Sequence, residues 1–192
     1  MAGTENQTNN LQEVPEGFRI IGDRRFMAEA NLRYILPNDE VEMNRLDYQH
    51  YVLKHLRHGN FTAPMNELLE VGITVLDAGC GSGRWALEMA EEYPNSTFYA
   101  TDCAEVFPTA NVPSNVIFLK ANTVERLPFP DNTFDYVFQR FMFLAFSPSD
   151  WEKALAELVR VTIPGGCVEL METSLYFHLA PPAYTPIYES CT

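Results

Sequence analysis

A turn with glycine at every second position constrains the fold of this 192-residue chain most strongly. It lies in the run VLDAGCGSGRW (75–85), where Gly79, Gly81 and Gly83 follow a short apolar segment and precede a helical pattern. Glycine avoids the roughly 1–2 kcal/mol that other L-residues lose at positive φ, and it lets a ligand approach the backbone. The run therefore predicts a strand, a tight turn against a ligand, and a helix.

Short apolar runs alternate with helical patterns from Ile73 onward, as they do in parallel β-α-β units. Five strands are expected, at Ile73–Leu76, Thr97–Thr101, Val116–Leu119, Phe134–Phe138 and Cys167–Met171. The expected fold class is α/β, a Rossmann-like, doubly wound and mostly parallel sheet in the order 3-2-1-4-5 with helices on both faces. Two prolines in the second crossover, 103–115, leave room for at most a short helix there.

The chain divides into three expected parts, which are a disordered polar tail (1–15), a helical cover (16–70) and a ligand-binding α/β domain (71–192). In the cover, the pattern predicts one helix from near Asp39 to a stop at His58-Gly59. Its expected apolar side consists of Leu46, Leu53 and Leu56, with Val52 and His50 beside them.

A second helix is expected after the fourth strand, because Ser149 and Glu152 have the spacing of a capping box. Its expected buried stripe consists of Trp151, Ala154, Leu155, Leu158 and Val161. A turn at Pro164-Gly165-Gly166 is expected to separate this helix from the fifth strand.

The net charge of −13 makes nucleic acid and anionic membrane surfaces poor partners. No run approaches the roughly 18 apolar residues of a membrane span, and the first twenty residues do not have the pattern of a signal peptide. The cytoplasm is therefore the expected compartment, with the nucleus as the alternative. Four widely spaced cysteines, Cys80, Cys103, Cys167 and Cys191, are expected to be reduced thiols, although two disulfides are the other possibility.

Two carboxylates indicate the kind of ligand. Asp77 precedes the glycine turn and would repel a pyrophosphate but attract a cationic ammonium group. Asp102 follows the second strand, where α/β folds commonly bind a ribose. The third glycine of a dinucleotide fingerprint is replaced by Arg84, and no Walker lysine follows the turn. The residues therefore favour S-adenosylmethionine. There are two alternatives. In the first, Asp77 and Asp102 only cap helices or strand ends. In the second, the site binds a nicotinamide cofactor.

VLDAGCGSGRW and YATD resemble motif I and the acidic second-strand motif of the class I S-adenosylmethionine-dependent methyltransferases. ANTVERLPFPDNTFDYV and ELVRVTIPGGCVELME resemble two later motifs of the same family. The resemblance implies that Asp77 and the turn from Gly79 to Gly83, Cys80 included, hold the methionine part of the cofactor. It also implies that Asp102 binds the ribose, that Asn122 and the backbone of Thr123 meet the adenine, and that Gln139 belongs to the cofactor site. The family more often has Asp where Asn122 stands.

The segment from Tyr34 to His50 is similar to the leading part of fungal secondary-metabolism methyltransferases. This similarity makes Tyr34 a candidate lid contact, with an ordinary half-buried tyrosine as the alternative. His50 is a candidate general base, with a core or surface imidazole as the alternative. No metal site is expected, because His55 and His58 have no acidic or cysteine ligand at a useful spacing.

The resemblance implies direct in-line methyl transfer, and the expected acceptor is a small apolar or aromatic molecule. Gln139-Arg140-Phe141-Met142 stands where methyltransferases of base amino groups have Asn-Pro-Pro-Tyr or Asp-Pro-Pro-Tyr, and no aspartate pair suits magnesium. An apolar acceptor wall is possible in the segment after the fourth strand, with plain core packing as the alternative. Its members would be Phe138, Phe141, Met142, Phe143 and Phe146.

Members of the family usually continue beyond the fifth strand with a helix and an antiparallel strand pair, which this chain is expected to lack. The fifth strand would then be an open edge that a second copy or a protein partner covers. A truncated enzyme, or a binding module without turnover, is the alternative function.

Overall fold

The computed structural model describes Val14, residues 17–28 and residues 34–174. Its strands are β1 (Phe18–Ile21), β2 (Arg24–Met27), β3 (Thr74–Ala78), β4 (Thr97–Asp102), β5 (Val116–Lys120), β6 (Phe134–Arg140) and β7 (Thr162–Met171). Its helices are α1 (Glu40–Arg57), α2 (Asn66–Val71), α3 (Arg84–Glu92) and α4 (Pro148–Val161). The expected tail, 1–15, lies outside the described residues except for Val14.

The main sheet has five parallel strands in the order β5-β4-β3-β6-β7. Counted from β3 as the first strand, this is the expected order 3-2-1-4-5, so the α/β fold class is confirmed. The crossover between β4 and β5 contains no helix. The carboxyl ends of β3, β4 and β6 meet at one edge of the sheet, which is where open α/β sheets bind ligands.

Two apolar cores lie on opposite faces of the sheet, because successive strand residues point to opposite sides. On one face α3 packs through Trp85, whose indole stacks on Phe138 with ring centroids 4.1 Å apart. On the other face α4 packs through Leu158 and Val161. The alternation places Asp77 on the α3 side of the sheet and Ala78 on the α4 side.

An antiparallel hairpin, β1–β2, precedes the main domain and was missed in the sequence. Each strand has four residues, too few for a clear alternation of apolar and polar side chains. The turn at Gly22, with φ of +65°, was the available signal. The Arg24 guanidinium binds the Asp39 carboxylate, and this pair ties the hairpin to the start of α1.

The predicted apolar side of α1 is confirmed in part. Asp39 caps the helix as expected, and Leu46 and Leu53 are partly buried, Leu53 against the core around Trp85. Leu56 is 67% exposed and Val52 is 38% exposed, however, and the fully buried residues of α1 are the polar Glu42 and His50. The helix ends at a left-handed His58 rather than at a glycine.

The capping box of α4 exists, but it lies two residues earlier than predicted. Ser147 is the N-cap and Asp150 its reciprocal partner, with Pro148 in the first turn. The predicted stripe is buried at Ala154, Leu158 and Val161 and partly buried at Trp151, but Leu155 is 39% exposed.

The predicted Pro-Gly-Gly turn was also wrong, because β7 follows α4 directly and contains this segment as an irregularity in its pairing with β6. Gly165 has a φ of +83° there. A Cβ on Gly166 would lie 2.8 Å from the carbonyl oxygen of Asp135, so only a glycine lets the two strands approach.

Glu169 on β7 joins the segment between α1 and α2 to the sheet. Its carboxylate accepts hydrogen bonds from the backbone N–H groups of Thr62 and Ala63 and from the hydroxyl of Tyr136. These contacts lie within 3.1 Å and the side chain is buried, so the cover is held against the edge of the sheet.

Candidate functional site

A cavity opens at the carboxyl edge of the sheet and encloses about 960 Å³ of space, open solvent included. Its floor is the glycine turn after β3 together with the ends of β4 and β6. Its roof comes from the cover, through Met27 of β2, Tyr34 and one face of α1. The expected ligand position at this edge therefore coincides with a real space in the described part of the chain.

The glycine turn has the left-handed backbone that its spacing predicts. Gly79, Gly81 and Gly83 have φ of +80°, +54° and +74°. The N–H groups of Gly79 and Cys80 donate to the carbonyl of Thr101 at 2.8 and 2.9 Å, which fixes the turn to β4. The cavity is lined by four consecutive residues of the turn, Gly79, Cys80, Gly81 and Ser82.

The carboxylate of Asp102 lies on the cavity wall beside this turn. Its Oδ2 accepts from the N–H of Gly81 at 2.9 Å, and its Oδ1 accepts from the N–H of Ala104 at 2.8 Å. Burial raises the pKa of Asp102. The thiol and the backbone N–H of Cys103 also hydrogen-bond to this carboxylate.

Asp77 is buried behind the cavity wall and does not line the space. Burial raises the pKa of Asp77 to about 7, opposed by the positive charge of Arg140. Its Oδ2 has no hydrogen-bond partner among the described residues. Any contact of Asp77 with a ligand in this cavity would therefore be electrostatic.

Two more of the expected cofactor residues also lie behind the wall. A Cβ on Gly83 would come within 2.5 Å of the Phe118 ring, so this glycine packs against protein rather than ligand. Gln139 is fully buried on the α4 side of the sheet, where neither amide atom has a partner in the described chain.

Asn122 and Thr123 line the cavity beyond the end of β5. The Oδ1 of Asn122 accepts from the N–H of Val124 at 3.1 Å, and its Nδ2 donates to Glu125 at 3.2 Å. The side chain thus stabilises its own turn, and Thr123 is buried next to it.

His50 lines the cavity with both ring nitrogens engaged. Its Nδ1 lies 3.2 Å from Nη1 of Arg140, and its Nε2 lies 2.8 Å from Oε2 of Glu88. A guanidinium only donates, so Nδ1 accepts and Nε2 carries the hydrogen that Glu88 accepts. Burial lowers the pKa of His50, which favours this neutral form.

Tyr34 lines the cavity from the opposite side and packs against the small apolar cluster around Ala145 and Phe146. Burial, helped by the negative charge of Asp102, raises the pKa of Tyr34 to about 12. The phenol is therefore protonated at neutral pH.

Sequence reasoning missed Arg140, which lines the cavity at the end of β6. Apart from His50 it is the only basic side chain among the described lining residues, and Asp102 is the only acidic one. Its place at the carboxyl end of a central strand was a usable signal.

Asp47 of α1 holds the cover against the glycine turn. Its Oδ1 accepts from the hydroxyl of Ser82 at 2.7 Å, and its Oδ2 accepts from the guanidinium of Arg84 at 2.7 Å. The roof and the floor of the cavity are therefore joined at one point.

Other kinds of site find no support in residues 17–28 and 34–174. No group of three or more His, Cys, Asp or Glu side chains is placed there to hold a metal ion, and His55 and His58 are both exposed. No helix in these ranges is long and apolar enough to cross a membrane.

Residues 75–166 match the family model described as a methyltransferase domain. The chain belongs to the class I S-adenosylmethionine-dependent methyltransferases. Among curated relatives, this chain is 34% identical over 138 residues to "Methyltransferase str3" of Strobilurus tenacellus. The match covers 71% of this chain and 47% of the relative. The chain is 29% identical over 150 residues to "N-methyltransferase sirN" of Leptosphaeria maculans, which covers 78% of this chain and 52% of the relative.

The fold of this chain is also found among solved structures. A SAM-dependent methyltransferase from Aquifex aeolicus aligns with a TM-score of 0.51 at 27% identity, covering 75% of this chain and 78% of that one. The chain spans about half the length of the two fungal relatives. Membership of this family sets aside the nicotinamide alternative.

S-adenosylmethionine is the cofactor of the family, and the cavity fits it. The glycine turn offers bare backbone, Asp102 offers a carboxylate beside it for the ribose hydroxyls, and Asn122 lies beyond it where the adenine is expected. A carboxylate and a guanidinium in one cavity suit a ligand that carries both hydroxyls and a zwitterionic amino acid. The rim also carries Met142, whose flexible sulfur would lie 2.7 Å from a Cβ on Gly79.

Proposed function

We propose that this domain transfers the methyl group of S-adenosylmethionine to a small apolar or aromatic acceptor by direct in-line displacement. The observation that carries the proposal is that one cavity presents both polar and apolar groups. Asp102 and the glycine turn supply polar groups, and the apolar ones come from Met27, Leu46, Leu53, Phe141 and Met142. Met142 and Leu46 lie against the turn itself, so an apolar acceptor would be held next to the donor.

The cofactor supplies an activated methyl group on a cationic sulfur. The chain's own contribution is alignment and exclusion of water, which lower a barrier by roughly 7–11 kcal/mol when two reactants are held in a reactive geometry. Asp47 supports this role, because it fixes α1 over the turn through Ser82 and Arg84. The hairpin adds Met27 to the same roof.

A dedicated protein base is not part of the proposal. Both nitrogens of His50 are engaged, and the raised pKa of Tyr34 keeps its phenol protonated. The acceptor therefore has to present a lone pair without help from a protein base. Amines do this near neutral pH, because their small neutral fraction reacts and is replenished from the protonated form. The "N-methyltransferase" name of the L. maculans relative makes amines the first acceptors to screen.

Partner and compartment follow as parts of the same proposal. The net charge of −13 favours a small molecule over nucleic acid. Within the described sheet β7 pairs on one side only, with β6, so its other edge is available to a second copy or a protein partner. Within residues 34–174, Cys80, Cys103 and Cys167 form no disulfide, which suits the cytoplasm or the nucleus.

The experiment is a screen of the purified chain with S-adenosylmethionine and a panel of apolar amines, phenols and carboxylic acids. Mass spectrometry would detect S-adenosylhomocysteine together with a product heavier by one methylene. Equal amounts of Asp102→Ala protein serve as the matched control. Turnover lost in the control supports the proposal. Cofactor binding without turnover on any acceptor would instead favour the binding module or a truncated enzyme.

A further inference from the structure

We propose that Arg140 binds the α-carboxylate of S-adenosylmethionine and that His50 positions its guanidinium. The inference rests on the cofactor pocket of the proposed methyl transfer and is independent of the acceptor. It assigns a role to two residues that line the cavity. His50 was expected to be a general base, but neither of its ring nitrogens is free.

Arg140 ends β6, beside the turn that follows β3, because Ala78 pairs with Gln139 in the register of these two strands. Its side chain reaches the same cavity as Gly79 and Asp102. With the ribose at Asp102 and the sulfur near the turn, the amino-acid end of the cofactor is directed toward β6.

The charge of Arg140 is uncompensated at short range. Among the described residues no carboxylate lies within 4 Å of its guanidinium, and burial lowers its pKa. A ligand carboxylate can supply two parallel hydrogen bonds to this partly buried guanidinium. The carboxylates of Asp77, Asp47 and Glu88 act on it only through space.

A chain of polar contacts fixes the orientation of Arg140. Nη1 donates to Nδ1 of His50 at 3.2 Å, and Nε2 of His50 donates to Glu88 at 2.8 Å. Lys54 on α1 lies 3.0 Å from the same Glu88 oxygen. Since Glu88 holds the imidazole hydrogen on Nε2, Nδ1 always presents a lone pair to Arg140. His50 is thus a positioning residue rather than a catalytic one.

Calorimetric titration tests the role of Arg140 with two probes, S-adenosylhomocysteine and its decarboxylated form. The natural chain is expected to bind the decarboxylated probe at least tenfold more weakly. Arg140→Met should reduce this ratio to about one, mainly by weakening S-adenosylhomocysteine. Arg126→Met, at a side chain that is 73% exposed, is the matched control and should retain the full ratio.

Several results would overturn the assignment. If the natural chain binds both probes with equal affinity, the proposed contact with the carboxylate is excluded before any variant is made. A ratio that survives in Arg140→Met, or in Arg140→Gln if the Met variant does not fold, would place the carboxylate elsewhere. Failure of S-adenosylhomocysteine itself to bind would contradict the cofactor pocket, and with it the proposed function, so the two failures are distinguishable.

The role of His50 needs a readout that general destabilisation would not change, and the ratio of the two affinities provides it. His50→Leu should lower the ratio, because Arg140 loses its acceptor. His50→Gln should restore most of it, since a glutamine amide can accept from Arg140 and donate to Glu88. Equal ratios in His50→Leu and the natural chain would remove His50 from the assignment.

Discussion

The backbone N–H of Gly81 donates a hydrogen bond to Oδ2 of Asp102 at 2.9 Å, so the glycine turn and the end of β4 form one unit. Gly81 has a φ of +54°, a conformation that favours glycine, and the carboxylate fixes the turn in this shape. Both sides of this contact face the cavity. The same carboxylate is therefore a structural partner of the turn and a candidate partner of the ribose.

Asp102→Ala should weaken affinity for S-adenosylhomocysteine by more than tenfold, about 1.4 kcal/mol, because the ribose hydroxyls lose a charged acceptor. Isothermal titration of the natural chain and the variant measures the change. Glu105→Ala, at an exposed carboxylate three residues away that pairs with Lys120, is the control and should bind normally. Unchanged affinity in Asp102→Ala would remove this residue from the site.

Gly83→Ala should destabilise the fold more than Gly22→Ala does. Both positions have positive φ, but the new Cβ at Gly83 would lie 2.5 Å from the Phe118 ring, whereas Gly22 has open space around it. Positive φ alone accounts for roughly 1–2 kcal/mol at either site, and the overlap with Phe118 adds to that at Gly83. Thermal melts compare the two, and equal losses would show that the overlap relaxes freely.

The stability of the chain should depend on pH through Asp77. The pKa of this carboxyl rises from 3.8 to about 7 on burial, so the folded state binds the proton more tightly than the unfolded state does. Its contribution to the free energy of unfolding therefore falls as pH rises from about 4 to 7, by about 1.4 kcal/mol per pKa unit.

Asp77→Asn isolates that contribution. The variant should gain stability relative to the natural chain between pH 4 and 7, and the gain should level off above pH 7. Urea denaturation at several pH values provides the measurement, and Asp131→Asn, at an exposed aspartate, provides the control. Parallel pH profiles for Asp77→Asn and the natural chain would contradict a raised pKa.

Glu169→Gln should lower the free energy of unfolding by roughly 2–5 kcal/mol, because an amide cannot accept all the hydrogen bonds that this buried carboxylate receives. Those bonds come from Thr62, Ala63 and Tyr136. Glu152→Gln, at an exposed position on α4, is the control for the substitution itself. A loss below 1 kcal/mol would mean that the cover is held mainly by other contacts.

The order of the main sheet was predictable because each strand is marked by its own residues. The run 75–85 alone defines a strand, a turn and a helix, and the same holds for the apolar run of β6. Chain connectivity and the rule of right-handed crossovers then leave few arrangements. For this reason the carboxyl edge, and with it Asp102 and Asn122, could be placed in advance.

The buried face of α1 could not be predicted in the same way. His50 is buried because Glu88 and Arg140, 38 and 90 residues away in the sequence, surround it with polar partners. Hydrophobic periodicity carries no information about such partners, so Leu56 was wrongly assigned to the core. Gln139 and Gly83 were expected at the ligand for a related reason, since a motif fixes sequence position but not which face of a strand or turn meets the cavity.

A crystal structure of the chain with S-adenosylhomocysteine tests the central claim most directly. Both ribose hydroxyls should lie within hydrogen-bonding distance of the Asp102 carboxylate, with the thioether over the backbone of Gly79 to Gly81. Nucleoside density at another surface, or a ribose turned away from Asp102, would contradict the assignment of this cavity as the cofactor site.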